Sequence, residues 1–314
     1  MRALITGIRG FAAGHLAQYL QSCGDEVAGS SRAAGDVPAW GRQQITVVPW
    51  QLGTRESQIA VRSFLQAFCP DVIYHLSAIS IPSRCGGNGP PTPEAITANF
   101  ESTVEIIETI QELRQPTRLV LVSSSHVYAP ITAEQPFCDE QYLRQPTSAY
   151  AVTKCWAEDA LCEAVAQGRI GGVVARAFHH DGPRQKPPGL LPELLRQVID
   201  PQRTEVEVVS LRANFETTDV RDVVRAYRLL AEQGTPGEVY NIGCGRGLFA
   251  REIWEKLQTV SGITKPCREL RPETGRQNAL ADIRKIRAAV GWEPRIALEQ
   301  TMRDMLAELL NSAP

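Results

Sequence analysis

The sequence predicts an α/β protein built on a doubly wound parallel sheet, because two kinds of segment alternate along its first half. Short apolar runs rich in β-branched residues have the length and composition of strands that are buried on both faces. Amphipathic stretches separate these runs, and strand–helix alternation of this kind is typical of a parallel sheet covered by helices. The predicted strands are RALITG (2–7), DEVAGSS (25–31), ITVVPW (45–50), DVIYHLSA (71–78), RLVLVSSS (118–125) and GGVVARAF (171–178).

The amphipathic stretches are predicted helices, and the pattern changes in the second half of the chain. There, proline and glycine interrupt the chain, and further helices follow without regular strands between them. We therefore predict a smaller carboxyl-terminal substrate-binding lobe of residues 173–214 and 244–314, next to a sheet domain of residues 1–172 and 215–243. Residues 83–93 are predicted to be a loop without secondary structure. The predicted helices are 14–24, 57–68, 94–113, 147–167, 220–233, 249–260 and 298–310.

The composition excludes several classes of protein. The chain has 314 residues and a formal net charge of −2, so no bulk attraction to nucleic acid or to an anionic membrane is expected. The sequence begins directly with an apolar strand and has neither a signal-peptide pattern nor a stretch typical of a membrane span. Its eight cysteines are scattered without the spacing of a zinc site, which favours reduced thiols. We expect a cytoplasmic protein without a metal.

The turn after the first strand, TGIRGFAAGHL, predicts a dinucleotide-binding site. Gly7 and Gly10 let the backbone turn tightly and approach a pyrophosphate, while Ala13 still permits close packing of the next helix. The helix that begins near Phe11 points its amino terminus at that negative charge. Such turns also occur for backbone geometry alone, so the position between a strand and a helix is what favours a Rossmann-like nucleotide site.

The end of the second strand predicts which dinucleotide binds. An acidic residue there would bind the ribose 2′-hydroxyl of NAD, but the chain reads AGSSR at residues 28–32. Ser31 and Arg32 offer donors and a positive charge to a 2′-phosphate, and Arg9 in the first turn adds a second cation. We therefore predict NADP(H) as the cofactor, with NAD(H) as the alternative. The alternative interpretation of Arg32 is an ordinary exposed loop arginine.

A tyrosine and a lysine four residues apart, in PTSAYAVTK, predict acid–base chemistry. Tyr150 and Lys154 would lie on one face of a helix, separated by roughly 5–6 Å. An ammonium there, beside the positive ring of the cofactor, is expected to lower the phenol pKa by favouring the phenolate, so that the tyrosine exchanges protons near neutral pH. The pattern YxxxK alone is common by chance.

Three serines end the fifth predicted strand, in RLVLVSSSHVYAP, although runs of hydroxyls favour turns over strands. Their place at the carboxyl edge of the sheet offers an explanation, because the helix with the tyrosine starts from the same edge. A serine there can donate a hydrogen bond to a substrate carbonyl while the tyrosine protonates the forming alkoxide.

In order along the chain, TGxxGF, HLSA, SSSxVY, Asn99 and YxxxK resemble the motifs of the extended short-chain dehydrogenase/reductases that act on nucleotide sugars. The resemblance covers essentially the whole chain. It implies Ser124 as the catalytic hydroxyl, Tyr150 as the acid/base and Lys154 as the partner of both the tyrosine and the cofactor. Asn99 would hold a water molecule or the backbone in the proton path, or be an ordinary polar residue near a helix start. The resemblance also implies cofactor contacts at Leu52, Leu76 and Ala78.

The second half, including FHHDGPRQ and VGWEPRIALEQTMRDML, resembles the GDP-4-keto-6-deoxy-mannose reductases and GDP-mannose dehydratases of that family. Dehydratases of the family have a glutamate where this chain has His126, which favours reduction of a 4-keto sugar by NADPH. His126 either acts as a base or lines the sugar pocket. The alternatives are a 4-epimerase or 4,6-dehydratase that retains its cofactor, and a protein that binds the cofactor without catalysis. The implied substrate contacts are Ser80, Ser125, His126, His179, Arg184, Arg212 and Arg271.

Three positions depart from the pattern of the family. Gln51 stands in place of an aspartate near the adenine, and His179 in place of an asparagine that touches the sugar or phosphate. Phe215 stands in place of an arginine, and a phenyl ring cannot hold a phosphate oxygen. We therefore expect the substrate diphosphate to rely on arginines elsewhere, namely Arg184 and Arg271, with Arg212 as a compensating residue.

The resemblance also implies the partners of the protein. A nucleotide sugar is the expected substrate, and neither nucleic acid nor a membrane is an expected partner. Relatives usually form dimers through the helix that carries the tyrosine, so a homodimer is expected. The second face of this helix is apolar enough for such a contact, with Trp156, Leu161 and Val165.

Overall fold

The computed structural model describes all residues except 33–43, 52–54, 114, 133, 274, 276 and 312–314. The strands are β1 Arg2–Thr6, β2 Glu26–Ser31, β3 Thr46–Pro49, β4 Val72–His75, β5 Arg118–Ser124, β6 Phe137–Cys138, β7 Gly171–Ala177, β8 His180–Asp181, β9 Val206–Val208, β10 Asn214–Glu216, β11 Thr218–Asp219, β12 Val239–Ile242, β13 Gly247–Phe249, β14 Cys267–Glu269 and β15 Leu280–Ala281. The helices are α1 Phe11–Ser22, α2 Arg55–Phe68, α3 Pro82–Cys85, α4 Pro93–Ile96, α5 Ser102–Gln111, α6 Ala149–Ala166, α7 Leu190–Ile199, α8 Val220–Gln233, α9 Ala250–Ser261, α10 Arg284–Val290 and α11 Leu298–Asn311. A π-turn at Thr97–Glu101 joins α4 to α5, and a 3₁₀ turn at Ser125–Val127 follows β5.

Seven of these strands form one parallel sheet, in the order β3-β2-β1-β4-β5-β7-β12. All six strands predicted from the sequence are present, and the Rossmann-like doubly wound fold is confirmed. Because the strand order reverses between β1 and β4, a crevice opens beyond their carboxyl ends. The strand β12 was not predicted, since the buried polar residue Asn241 interrupts its apolar run.

Helices cover both faces of the sheet because successive residues of each strand point to opposite sides. On one face, Ile5 of β1 belongs to a core with Leu16 of α1 and Tyr227 of α8. On the other face, Leu4 belongs to a second core with Ile106 of α5. Each of these side chains is at most 1% exposed. The two helical layers therefore hold the strands, and with them the carboxyl ends that form the crevice.

A smaller lobe formed by α7, α9 and α11 has an apolar core of its own, to which Trp254 and Met302 contribute. The short strand pairs β9–β14 and β10–β13 lie in this half of the chain, so the prediction of a second half without strands is wrong. Asp222 of α8 accepts hydrogen bonds from the amides of Arg295 and Ile296, each at 2.8 Å, which ties the two parts together. The proposed domain boundaries stay a prediction.

The segment after β4 also differs from the predicted unstructured loop. It contains the one-turn helix α3, and α4 continues through the π-turn into α5. A π-turn inserts a residue into a helix and shifts the side chains around it, which sequence periodicity does not reveal. Across the described part of the chain, no helix combines the length and the apolar character that a membrane span requires.

A buried ionic network joins β5, α6 and β7. Glu158 of α6 accepts a hydrogen bond from Ser123 Oγ at the end of β5. It also accepts from Nε and Nη2 of Arg176 at 3.0 and 2.8 Å, and the side chains of Glu158 and Arg176 are 1% and 3% exposed. Nη1 of Arg176 donates to the Tyr128 hydroxyl at 3.0 Å. Neither buried charge can lose its partner without a large cost, so the network fixes the three elements against one another.

Glu158→Gln is expected to lower the free energy of unfolding by about 3 kcal/mol, because the guanidinium of Arg176 would stay buried without a counter-charge. Chemical denaturation followed by circular dichroism measures this loss. Glu163→Gln, at an exposed glutamate of the same helix, is the matched control and should change the free energy by less than about 0.5 kcal/mol. Equal effects of the two substitutions would contradict the importance of the buried pair.

Candidate active site

A cavity of about 860 Å³ opens where the carboxyl ends of the strands meet the smaller lobe. Its size is that of a small-molecule site, which typically measures about 300–1,000 Å³. The first turn, the ends of β4, β5 and β7, the start of α6 and part of β10 all contribute to it. The predicted site residues that line this cavity are Gly7, Gly10, Phe11, Leu76, Ala78, Ser80, Ser124, Ser125, His126, Tyr150, Lys154 and His179.

The first turn fits the pyrophosphate of a dinucleotide. Gly7 has a φ of +67°, and a Cβ built on it would lie 2.9 Å from Cα of Ser77, so only glycine is accommodated there. Helix α1 begins at Phe11, and its N-cap residue Gly10 forms no side-chain cap. No acidic side chain lies in the first turn of α1. The first amides of this helix therefore remain available to an anion that approaches the glycine turn.

Residues predicted to bind the 2′-phosphate come together at the carboxyl ends of β1 and β2. The amide of Ile8 donates to the carbonyl of Ser30 at 3.0 Å, which holds the first turn beside the end of β2. Ser31 is the last residue of β2, and both Arg32 and Arg9 are exposed. The structure thus places Arg9, Ser31 and Arg32 beyond the carboxyl ends of β1 and β2. Their role in binding a 2′-phosphate stays a proposal.

Other predicted cofactor contacts lie after β3 and β4. Leu76 and Ala78 follow β4 and line the cavity. Gln51 follows β3, and its backbone amide donates to the hydroxyl of Ser57 at 2.7 Å, near the start of α2. Leu52 lies outside the described residues.

Asn99 holds backbone rather than facing the cavity. Its Oδ1 accepts from the amide of Ile79 at 2.7 Å, and its Nδ2 donates to the carbonyl of Ile79 at 3.1 Å. Nδ2 also donates to Oγ1 of Thr153 at 3.0 Å, and the residue is 1% exposed. The π-turn thus places an amide that fastens the segment after β4 to α6, next to the tyrosine.

The structure brings Ser124 and Tyr150 together. Ser124 is the last residue of β5, Tyr150 is the second residue of α6, and both side chains line the cavity, where the hydroxyl of Ser124 is close enough to lower the pKa of the Tyr150 phenol. Helix α6 begins where it does because Oγ of Ser148 caps it and accepts from the amide of Ala151 at 3.3 Å. The cap and the strand end together set the distance between the two hydroxyls.

Burial shifts the pKa values of the tyrosine and the lysine in opposite directions. Burial raises the pKa of Tyr150 to about 12, against the effect of the neighbouring Ser124 hydroxyl, which lowers it. Burial lowers the pKa of Lys154 to about 8, against the carboxylate of Glu158, which raises it. Nζ of Lys154 donates to the carbonyl of Val122 at 2.9 Å. Desolvation of the phenolate is thus the largest effect on the pKa of Tyr150 in this structure, and the lowering predicted for the tyrosine beside a bound cofactor stays a prediction.

His126 lies beside the tyrosine. The rings of His126 and Tyr150 meet edge to face, with their centroids 5.8 Å apart. The amide of His126 donates to Oγ of Ser124 at 3.2 Å, and this contact in the 3₁₀ turn after β5 orients the serine side chain. Ser125 and Ser80 add two hydroxyls to the same cavity wall. Several hydrogen-bonding groups thus surround the hydroxyl pair.

The three arginines predicted to bind the substrate diphosphate are not among the described residues that line the cavity. Arg184 lies between α1 and α11: its Nη2 donates to Oε1 of Gln18 at 3.3 Å, and its amide donates to the carboxylate of Glu308. Helices α1 and α11 thus supply the partners of Arg184, and their proximity to this residue is not apparent from the sequence. Arg212 and Arg271 are exposed on loops of the smaller lobe.

Several residues that line the cavity were not predicted, among them Glu216 and residues 277–279. The two carboxylate oxygens of Glu216 accept from the amides of Gly245 at 2.9 Å and Ala281 at 2.6 Å, and burial raises its pKa to about 7. The available signal in the sequence was the acidic Glu216 in NFETTD, which ends β10 two residues before β11 begins. Residues 277–279 belong to an irregular segment that gave none.

Comparisons with known proteins agree with this geometry. A profile of the NAD dependent epimerase/dehydratase family matches residues 3–243. The chain is 26% identical to the GDP-6-deoxy-D-mannose reductase of Pseudomonas aeruginosa, over 98% of its own length and 96% of that protein. It is 30% identical to the dTDP-6-deoxy-L-talose 4-dehydrogenase (NAD(P)(+)) of Kitasatospora kifunensis, over 66% of its own length and 68% of that protein.

The fold is also shared with solved structures. The structure of RMD from Pseudomonas aeruginosa, complexed with NADPH, superposes with a TM-score of 0.80 at 22% identity, over the full length of both chains. The family profile spans the glycine turn, the strand that ends at Ser124 and the helix that carries Tyr150 and Lys154. The resemblance read from the motifs is confirmed at this level: the chain belongs to the NAD dependent epimerase/dehydratase family.

Proposed function

We propose that the protein is an NADPH-dependent reductase of the 4-keto group of a nucleotide-linked 4-keto-6-deoxy sugar. The observation that carries this proposal is the meeting of Ser124, Tyr150 and Lys154 in a cavity large enough for a nucleotide sugar beside a dinucleotide turn. The full-length similarity to a GDP-6-deoxy-D-mannose reductase supports the substrate class.

The residues of this chain would act as a proton donor and an orienting pair. NADPH, held at Gly7, Gly10 and Phe11, would supply the hydride for C4 of the sugar. Because burial keeps the phenol of Tyr150 protonated at neutral pH, this group can give its proton to the carbonyl oxygen of the substrate. Ser124 would hydrogen-bond the same oxygen and hold it in place.

Lys154 would balance the charge that the proton transfer creates. It lies one helical turn after Tyr150, and its side chain is buried. Once the tyrosine has given up its proton, the ammonium is the positive charge on the same helix face that stabilises the phenolate. Glu158, a further turn along α6, keeps the lysine charged despite burial, since its carboxylate raises the lysine pKa.

Reduction is favoured over dehydration by the carboxylates of the cavity. Elimination of water needs a base that removes a carbon-bound proton, and the family uses a glutamate where this chain has His126. Among the described residues that line the cavity, Glu216 is the one carboxylate, and its oxygens accept from the amides of Gly245 and Ala281. Although burial raises the pKa of Glu216 to about 7, both of its oxygens are engaged by backbone amides, so we assign it to holding the loop and not to removing a proton from a sugar carbon.

The decisive experiment mixes the protein with NADPH and a nucleotide-linked 4-keto-6-deoxy sugar. A reductase consumes one NADPH for each sugar reduced, so the absorbance of NADPH falls in proportion to product. Turnover of a nucleotide sugar without loss of NADPH would instead support a 4-epimerase or 4,6-dehydratase that retains its cofactor. NADPH binding without turnover of any nucleotide sugar would support a non-catalytic protein.

We also infer a cytoplasmic homodimer that contacts its partner through α6. Trp156 on this helix is 39% exposed, and its ring meets Phe100 edge to face at 5.8 Å. Leu161 does not belong to that outer face, because it is buried in the core under the sheet. Val165 packs against the same core and is only partly buried. The apolar surface available for a partner is thus narrower than the sequence predicts.

Tyr150→Phe is expected to reduce kcat by roughly 10²–10⁴-fold, because it removes the proton donor while it keeps the ring. The dissociation constant for NADPH should stay nearly unchanged. Steady-state turnover and fluorescence titration with NADPH measure the two quantities. Tyr19→Phe removes a phenol from α1 at a position that does not line the cavity, and this control should keep the turnover of the wild type. Undiminished turnover of Tyr150→Phe would exclude the phenol as the proton donor.

Arg32→Ala is expected to weaken NADPH binding by roughly 10–100-fold, because it removes a charge-assisted contact to the 2′-phosphate. NADH has no 2′-phosphate, so its dissociation constant should stay the same and serves as the internal control. Titrations of the variant and the wild type with both cofactors give the ratio. An equal change for NADPH and NADH would contradict a role of Arg32 in recognising the phosphate.

A further inference from the structure

A histidine and a buried aspartate form a pair on the lobe side of the cavity. His179 lies just after β7, and its Nε2 is 3.2 Å from Oδ2 of Asp181. The side chain of His179 is 44% exposed and lines the cavity, whereas the side chain of Asp181 is 3% exposed. The imidazole therefore has a carboxylate on its buried side and open space on its other side.

The aspartate is held as an anion. The hydroxyl of Thr217 donates to Oδ2 of Asp181, the oxygen that also faces the histidine. Oδ1 is buried and has no hydrogen-bond partner among the described residues. Burial alone would raise the pKa of Asp181, but the cationic form of His179 and the Thr217 hydroxyl lower it overall. A buried carboxylate with so few donors gains stability from a positive charge beside it.

The rest of the cavity offers few alternatives for an anion on this side. No arginine is found among its described lining residues. Lys154 belongs to the tyrosine end, where it donates to the carbonyl of Val122. His180 lines the cavity too, but its Nδ1 contacts the carbonyl of Phe178 at 2.9 Å, and burial lowers its pKa.

The position of His179 assigns it to the substrate rather than to the cofactor. A small pocket that opens off this side is lined by His179, Asp181, Thr217 and Phe215 together with apolar residues of the smaller lobe. The glycine turn that fits the cofactor pyrophosphate belongs instead to β1 and α1. His179 thus shares its surroundings with Phe215, the position at which the resemblance leads one to expect an arginine.

We propose that the His179–Asp181 pair is the cationic contact for the diphosphate of the substrate and makes its binding depend on pH. The inference rests on the proposed function, because it takes a nucleotide sugar as the ligand. An imidazolium paired with a carboxylate replaces a permanently charged guanidinium, so the contact exists only while the ring is protonated.

The direction of the pH dependence follows from the charges around the ring. Asp181 raises the pKa of His179, burial lowers it, and Glu216 raises it further. The adjacent His180 has a pKa that burial lowers, so it favours its neutral form. Diphosphate binding is therefore full below the pKa of His179 and weakens as pH rises through it. Above that pKa the affinity should fall by up to about tenfold per pH unit, the limit for one linked proton. Ionised Glu216 would repel the diphosphate as well, so a variant is needed to separate the two groups.

The test is calorimetric titration of the wild type and of His179→Asn with GDP, UDP and dTDP between about pH 6 and about pH 9. The wild type should bind at least one of these nucleotides, with an affinity that falls as pH rises. His179→Asn should bind it roughly tenfold or more weakly at the acid end, since a charged contact is lost. The part of the pH dependence that His179 carries should disappear, so that only the ionisation of Glu216 and of the nucleotide itself remains. Thermal unfolding checks that the variant is folded. In a second variant, Asp181→Asn, the pH at which nucleotide affinity falls should be lower than in the wild type, because Asp181 raises the pKa of His179.

Two matched variants sharpen the result. Arg287→Gln removes a positive charge from an exposed side chain of α10 that does not line the cavity, and it should keep both the affinity and the pH dependence of nucleotide binding. Phe215→Arg combined with His179→Asn places a permanent charge on the same pocket wall and should restore affinity without restoring the part of the pH dependence that His179 carries. NADPH titrations of His179→Asn should match the wild type, because the cofactor pyrophosphate binds elsewhere.

Three results would overturn the inference. They are wild-type affinity and pH dependence in His179→Asn, a loss of NADPH affinity with unchanged nucleotide affinity in that variant, and wild-type protein that binds none of the three nucleotides. These titrations need no turnover, whereas the proposed function is tested by NADPH consumption with a keto sugar. Nucleotide binding that depends on His179 without any reductase activity would therefore remove the function and leave the binding site.

Discussion

The arrangement of the candidate active site depends on how firmly β5 is held against α6. Ser124 ends the strand and Tyr150 lies at the start of the helix. A long segment separates the two residues in sequence, so contacts between the strand and the helix must set the distance between their side chains. The buried carboxylate of Glu158 makes that connection, because it accepts from Ser123 on the strand and from Arg176 on the next strand. A buried ion pair adds little net stability compared with apolar packing, but it tolerates only one geometry. The network therefore specifies position, which is what a hydroxyl pair requires.

Burial then sets the proton chemistry of the site. Removing water disfavours whichever form of a group is charged, so the same cause raises the pKa of Tyr150 and lowers that of Lys154. The phenol therefore stays protonated at neutral pH. The carboxylate of Glu158 raises the pKa of Lys154 against burial, to about 8, so that most of the lysine is charged at neutral pH. A tyrosine that holds its proton suits reduction, in which the substrate oxygen must receive one. The YxxxK spacing indicated the pair, but it could not indicate which of the opposing electrostatic effects is larger.

Periodicity was sufficient for most of the fold and insufficient for the contacts of the second half. Six of the seven sheet strands could be predicted, because β-branched runs buried on both faces leave a clear pattern. The buried Asn241 interrupts the apolar run of β12, and the π-turn that orients Asn99 keeps a helical composition. Arg184 was expected to reach the diphosphate, yet its partners are Gln18 and Glu308, which are distant in sequence. This prediction failed because polar partners from elements distant in sequence were available to the side chain, and only the tertiary arrangement decides among them.

The loss of an arginine from the cavity need not mean the loss of its charge. Phe215 stands where the family resemblance leads one to expect a guanidinium, and the imidazole of His179 borders the same pocket with Asp181 behind it. Such an exchange would change the character of the site more than its location. A guanidinium is charged at every physiological pH, whereas an imidazolium is charged only while its counter-ion and its burial permit. An anionic ligand that binds to the protonated ring must raise the ring's pKa further, so that substrate and proton would each strengthen the binding of the other.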